Sequence, residues 1–183
     1  MYGMIHRAAR EMVLEQHGAG AWSEVVRLAD LHEAHFISAS TYSDDLTQSL
    51  LAAVASVLQE PEPSLLATFG RYWIKYVLKG PYGDILRLAG DDLATILTNL
   101  DRLHDAIRVA MPAADTPSFE VLRRQSSEIR LAYRSNRAGL EPFVIGLLQG
   151  LMEECGLVPQ LVTWTPLAQG AEFVLTAPQG RTF

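Results

Sequence analysis

Residues 93–123 read LATILTNLDRLHDAIRVAMPAADTPSFEVLR, and the spacing of their apolar side chains changes along the way. In the first part these positions recur every three or four residues. This spacing predicts an amphipathic helix over 92–110, with the acidic pair at its start as the N-cap. From Ser118 onward the apolar positions alternate, which predicts a β-strand. A long helix is therefore expected to lead directly into a sheet.

Upstream of this stretch, helical spacing continues almost without interruption. Gly18 is expected to end the first helix, and Pro61 and Pro63 to separate two later ones. The predicted helices cover residues 3–17, 19–29, 45–59, 64–79 and 82–89.

Downstream, the pattern predicts a second strand that places Ile129, Leu131 and Tyr133 on one face. A helix over 139–155 and strands over 158–165 and 171–177 follow. The predicted fold class is therefore α+β in a single domain, residues 1–183. A helical N-terminal lobe (about 1–112) would precede a smaller C-terminal lobe (about 113–183) with an antiparallel sheet and helices.

Composition excludes several classes of protein. The net charge of −6 with only two lysines argues against a nucleic-acid-binding face. No apolar run reaches the length of about 20 residues that a membrane helix needs. A single cysteine excludes an internal disulfide, and the N-terminus lacks the pattern of a signal peptide. The expected location is the cytoplasm.

His104 lies on the apolar face of the helix 92–110, beside Leu100, Leu103 and Ile107. A lone histidine on such a face is most often a hydrogen-bonded core residue. No second histidine follows at the spacing of a zinc pair. A single imidazole among apolar side chains is, however, the iron ligation of a five-coordinate haem, with Leu100 and Leu103 walling the ring.

Tyr133, Ser135 and Arg137 occupy every second position of one segment. In an extended strand all three would point to one side and offer hydrogen-bond donors for carboxylates, such as the two propionates of a haem. The alternative interpretation is a solvated strand end.

The other four histidines are not expected to come together in one site. His6 is expected on the polar side of the first helix. His17 is expected at that helix's C-terminus, and His32 and His35 in a loop, all in surface or capping roles.

Together these segments resemble the haem nitric-oxide/oxygen-binding family, which includes the sensor domain of soluble guanylate cyclase and its bacterial relatives. The resemblance covers nearly the whole chain. It rests on the order and spacing of these segments: Met1-Tyr2-Gly3, Tyr42-Ser43-Asp44-Asp45, Phe69-Gly70-Arg71-Tyr72-Trp73, Asn99 to His104, Pro117-Ser118-Phe119 and Tyr133 to Leu140.

The resemblance implies haem b, bound non-covalently between the lobes, because the chain has no Cys-x-x-Cys-His attachment motif. His104 would be the proximal iron ligand, Pro117 would press on the porphyrin, and Tyr133, Ser135 and Arg137 would hold the propionates. The expected distal residues are Ile5, Trp73, Ile74, Phe143 and Leu147.

Oxygen-binding members of the family carry a distal tyrosine where this chain has Phe143. The resemblance therefore implies a sensor of nitric oxide and carbon monoxide that excludes oxygen. No nucleophile–base arrangement is evident, so an enzyme is not expected. No output domain is recognisable, which implies signalling in trans to a histidine kinase or a cyclic-dinucleotide enzyme. The alternatives are an oxygen-binding or redox-sensing haem protein, or a helical binding module without a cofactor.

Overall fold

The computed structural model describes residues 1–31, 36–80, 82–110, 115–158, 162–177 and 183. The helices are α1 (Gly3–Leu28), α2 (Asp44–Leu58), α3 (Glu62–Lys79), α4 (Gly83–Leu88), α5 (Leu93–Ala110) and α6 (Glu141–Glu154). The strands are β1 (Ser118–Arg124), β2 (Glu128–Arg134), β3 (Val162–Pro166) and β4 (Ala171–Thr176). Within the described ranges, no helix is both long enough and apolar enough to span a bilayer.

The four strands form one antiparallel sheet in the order β1-β2-β4-β3. The predicted α+β class, with helices first and an antiparallel sheet after them, is confirmed. Ile129, Leu131 and Tyr133 of β2 are all buried, so the predicted single face is also confirmed. Strand β1 departs from simple alternation, because its pairing with β2 shifts register between Val121 and Arg123.

One predicted element boundary is confirmed and two were wrong. Gly18 has non-helical backbone angles, with φ of 82° and ψ of 175°, so the predicted break between a helix ending at Gly18 and a second helix after it is confirmed as a kink within α1. Helix α3 begins at Glu62, before Ser64, because a proline in the first turn of a helix loses no hydrogen bond there. Strand β3 begins at Val162, later than the predicted residue 158, and residues 159–161 lie outside the described ranges.

Buried apolar side chains form two clusters that meet along α3. The helical cluster contains Met12, Val13, Trp22, Val25, Phe36, Leu50, Ala53, Val54 and Leu65, with Phe69 and Tyr72 packed against it. The sheet cluster joins α4, α5, α6 and the sheet, and it includes Ile74 with Trp73 and Val77 against it. Helix α3 therefore belongs to both clusters: its residues up to Tyr72 pack in the helical cluster, and those from Trp73 onward pack in the sheet cluster. The lobe boundary near residue 112 stays a prediction.

Helices α3 and α6 cross at very short range because glycines face the contact. A Cβ added at Gly70 would lie 2.2 Å from the carbonyl oxygen of Phe143. A Cβ added at Gly146 would lie 2.0 Å from the carbonyl oxygen of Ala67. Further along α3, Lys75 Nζ lies 3.6 Å from Glu153 of α6. Both lysines of the chain, Lys75 and Lys79, are exposed on this helix.

Candidate functional site

A largely apolar cavity of about 310 Å³ lies where α1, α2, α3, α5 and α6 meet the sheet. Its volume falls in the range of pockets that bind small molecules and cofactors. Nine of the predicted site residues line it: Ile5, Trp73, His104, Pro117, Tyr133, Ser135, Arg137, Phe143 and Leu147. The other three are elsewhere: Leu100 and Ile74 are buried in the sheet cluster, and Leu103 packs against it.

His104 has a fixed orientation on the cavity wall. Its Nδ1 lies 3.0 Å from the carbonyl oxygen of Pro117. A carbonyl can only accept, so Nδ1 carries the proton and Nε2 keeps its lone pair. Burial lowers the pKa of His104, which favours the neutral ring. A neutral imidazole with one nitrogen tied to a backbone carbonyl is the form in which histidine binds metals.

Tyr133, Ser135 and Arg137 line the same cavity, but strand geometry is not the reason. Strand β2 ends at Arg134, so alternation cannot orient the last two side chains. Instead, Ser135 Oγ accepts a hydrogen bond of 3.0 Å from the backbone N–H of Arg137, which folds the segment back. Burial raises the pKa of Tyr133, so its hydroxyl keeps its proton and remains a donor.

The guanidinium of Arg137 is held by acidic residues from two other segments. Its Nη1 donates to the carbonyl oxygen of Asp115 at 3.0 Å and lies 3.2 Å from that residue's carboxylate. Its Nε lies 3.6 Å from Asp44 Oδ1, and Arg137 is the main reason that the pKa of Asp44 is lowered. That Nε is buried and makes no hydrogen bond within the described part of the chain.

The prediction for His6 was wrong. Its side chain is only 1% exposed and lines the cavity. The ring stacks on Phe36 at 4.9 Å, and Nε2 lies 2.9 Å from Thr47 Oγ1. Burial lowers the pKa of His6 to about 4, so the ring is neutral at physiological pH. The sequence contained evidence that His6 is buried, because the apolar residues Ala9 and Val13 follow His6 at helical spacing.

The remaining histidines do not join the site in the described part of the chain. His17 is exposed near the kink of α1, as predicted. His32 and His35 lie outside the described residues.

The side chains on the cavity wall fit a haem. His104 offers Nε2 to an iron atom, and the apolar wall suits a porphyrin face. Tyr133, Ser135 and Arg137 offer hydroxyl and guanidinium donors that suit two carboxylates.

Comparison with known proteins also indicates a haem-binding protein. The family described as Haem-NO-binding matches residues 2–155, from the start of α1 to the end of α6. The chain belongs to the Haem-NO-binding family. Its members are haem-binding sensor domains, and this family assignment confirms the resemblance inferred from the sequence motifs.

Among relatives of this Haem-NO-binding chain, soluble guanylate cyclase gcy-31 of Caenorhabditis elegans is 28% identical over 154 residues. That match covers 84% of this chain and 22% of the relative. Soluble guanylate cyclase 89Da of Drosophila melanogaster is 24% identical, over 84% of this chain and 23% of the relative. The chain thus spans less than a quarter of the length of these relatives.

Solved H-NOX structures share the fold. The Fe(II) unliganded H-NOX protein from K. algicida superimposes with a TM-score of 0.84 at 19% identity, and the match covers 100% of both chains. The H-NOX protein from S. oneidensis in its Fe(II)NO state gives a TM-score of 0.82 at 19% identity. That second match covers 97% of this chain and 100% of the other.

Proposed function

We propose that this chain is a haem-based gas sensor that binds haem b non-covalently through His104. It responds to nitric oxide and carbon monoxide, excludes oxygen, and signals from the cytoplasm to a separate protein. The observation that carries the proposal is the tie between His104 Nδ1 and the Pro117 carbonyl, which leaves Nε2 available on the cavity wall. Bound ferrous haem would supply an iron atom to which diatomic gases attach reversibly.

Four polar side chains on the wall have defined tasks under this proposal. His104 would bind the iron, while the hydroxyl groups of Tyr133 and Ser135 would donate hydrogen bonds to the propionates. Arg137 adds a positive charge that Asp44 and Asp115 keep in place. The test is purification after expression with haem available, followed by absorption spectroscopy and haem extraction. One extractable haem b per chain is expected, and a protein that purifies without a Soret band would contradict the proposal.

Selectivity against oxygen rests on the apolar part of the wall. Phe143 packs against Phe69 with ring centroids 5.4 Å apart, and it offers no hydroxyl to a bound gas. Dioxygen on iron carries partial negative charge and gains from a hydrogen-bond donor, whereas nitric oxide binds ferrous iron strongly without one. We expect the ferrous spectrum to stay unchanged in air-saturated buffer and to change on addition of carbon monoxide or nitric oxide. A stable spectral change on aeration would contradict this selectivity.

The alternative function, oxygen binding or redox sensing, has one observation in its favour. His6 brings a neutral imidazole to the cavity wall, in a region expected to be apolar. Its Nε2 is within hydrogen-bonding distance of Thr47, and this contact limits the ability of Nε2 to form a hydrogen bond with a bound gas. Comparing His6→Leu with the unaltered protein in air-saturated buffer decides between the functions. A stable oxygen spectrum that His6→Leu abolishes would establish the alternative.

The signal is proposed to pass in trans to a histidine kinase or a cyclic-dinucleotide enzyme. The guanylate cyclase activity named for the relatives is not assigned to this chain, which spans less than a quarter of them. A ligand changes a partner's behaviour only through different contacts in the two states. The haem-loaded protein, with and without nitric oxide, should therefore retain a candidate kinase or cyclic-dinucleotide enzyme to different extents in a pull-down. Equal retention in both states would argue against signalling to that partner.

A further inference from the structure

Helix α5 contacts the segment 116–119 at three successive positions, and His104 is only the middle one. One turn earlier, Asp101 Oδ1 accepts from the backbone N–H of Phe119 at 2.6 Å. The other oxygen of the same carboxylate accepts from Ser118 Oγ at 3.1 Å. One turn after His104, Arg108 Nη1 donates to Thr116 Oγ1 at 2.6 Å.

These contacts run in opposite directions along the two segments. As the helix advances from residue 101 to 104 and 108, its partners step back from Phe119 to Pro117 and Thr116. We call this set of contacts the α5 ladder. Residues spaced by three and four along a helix lie on one face, so a single face of α5 holds the extended segment. The carbonyl of Pro117 is therefore fixed from both sides.

We propose that Asp101 and Arg108 are positioning residues that orient His104 toward the iron. This inference rests on the proposed function, in which His104 is the iron ligand. Neither residue lines the cavity, so neither is assigned a contact with the haem. They act by keeping the Pro117 carbonyl in the position where it accepts a hydrogen bond from His104 Nδ1–H.

The physical reason lies in the acceptor of the histidine proton. That acceptor fixes the rotation of a metal-binding imidazole and increases its basicity, and its loss typically lowers metal affinity by about 10–100-fold. A carbonyl in an extended segment can turn when its neighbours are released. Asp101 makes the stronger contribution, because its contact with the backbone N–H of Phe119, the second residue of β1, is charge-assisted. The side chain of Arg108 is 39% exposed, so a smaller effect is expected from it.

The test compares Asp101→Ala, Asp101→Asn and Arg108→Ala in the haem-loaded ferrous protein. The measurements are the iron–imidazole stretching band in resonance Raman spectra and the rate of haem transfer to an acceptor protein. For Asp101→Ala, we expect a broadened band at lower frequency and about 10–100-fold faster haem loss. Asp101→Asn should recover part of both changes, because its amide oxygen can still accept from Phe119. Arg108→Ala should shift the band in the same direction by less.

Arg102→Ala is the matched control, because Arg102 is exposed on the same helix and should leave the band unchanged. If Asp101→Ala does not fold, Ser118→Ala and Arg108→Ala together remove one contact on each side of His104. Suppose that the wild-type protein shows the iron–imidazole band and the folded variants show the same band at the same frequency. That result would overturn the positioning role of Asp101 and Arg108, and the proposed function would still stand. Absence of that band from the unaltered protein would instead refute His104 as the ligand, and the inference with it.

Discussion

Two of the histidines that the structure describes line the cavity, and the hydrogen-bond partner of each ring determines what that ring can do. His104 donates a hydrogen bond from Nδ1–H to a backbone carbonyl and keeps a lone pair on Nε2. His6 contacts a threonine hydroxyl and packs against the aromatic rings of Phe36 and Tyr42. Both rings are kept neutral by burial, which lowers both pKa values. The backbone contact makes His104 the better candidate for a metal ligand.

Replacing His104 by glycine should remove the only protein ligand to the iron and leave a space the size of imidazole. We expect His104→Gly to purify without haem, and to regain haem when millimolar imidazole is present during expression. Absorption spectra of the two preparations measure this directly. Full haem content in the absence of imidazole would mean that another side chain binds the iron.

Arg137 and Ser135 differ in what each would lose on truncation. Arg137→Ala removes a charged donor, and a hydrogen bond to a charged group contributes roughly 1.5–3 kcal/mol. Ser135→Ala removes a neutral hydroxyl, whose bond typically contributes about 1 kcal/mol. Haem loss should therefore be at least several-fold faster for Arg137→Ala than for Ser135→Ala. Equal rates of haem transfer to an acceptor protein would count against a propionate clamp at Arg137.

His6 should make the protein less stable in acid. Its folded pKa of about 4 lies below the ordinary value of 6.5, so the unfolded chain binds a proton more readily. The stabilisation is therefore complete above pH 6.5 and is lost as the pH falls toward 4. Between pH 7 and pH 5 the free energy of unfolding should drop by about 2 kcal/mol on this account. Urea unfolding of the wild type and His6→Gln at both pH values isolates the effect. An equally steep pH dependence in both proteins would exclude His6 as its source.

At the scale of elements, the crossing of α3 and α6 determines how the two clusters fit together. A Cβ at position 146 would lie 2.0 Å from a backbone oxygen, which cannot rotate away as a side chain would. Gly146→Ala should therefore lower the free energy of unfolding by about 1–3 kcal/mol or more. Gly20→Ala in α1 is the control, because no atom lies within 4 Å of its new Cβ, and it should be neutral or stabilising. Urea unfolding of both variants gives the comparison, and equal stability would argue against the tight crossing.

The sequence predicted the elements well and their ends less well. Periodicity depends on many residues, so α5 and the buried face of β2 were correctly placed. Ends depend on single residues: Gly18 correctly predicted the break in α1, but local rules alone did not show that α3 would begin at Glu62, before Ser64. Tyr133, Ser135 and Arg137 were grouped by spacing, although a loop hydrogen bond orients the last two. Asp101 and Arg108 share the helix face of His104, but their partners were visible only in three dimensions.

The whole molecule should unfold as one unit, because α3 packs in both clusters and the cavity is lined from both. Loss of either cluster would expose the apolar face of α3 to water and open the haem site. We expect the helical circular dichroism signal and the Soret band to disappear at the same urea concentration. Two separated transitions, with helix signal retained after the Soret band is lost, would show that the clusters fold independently.

The two exposed lysines on α3 have a practical consequence for handling this molecule. The lysine ε-amines that can react with amine-coupling reagents, such as fluorescent dyes or activated chip surfaces, are those of Lys75 and Lys79, one helical turn apart. Attachment through these side chains would hold every copy by the same helix. The molecules would then share nearly one orientation on the surface, which suits surface-based measurements of partner binding.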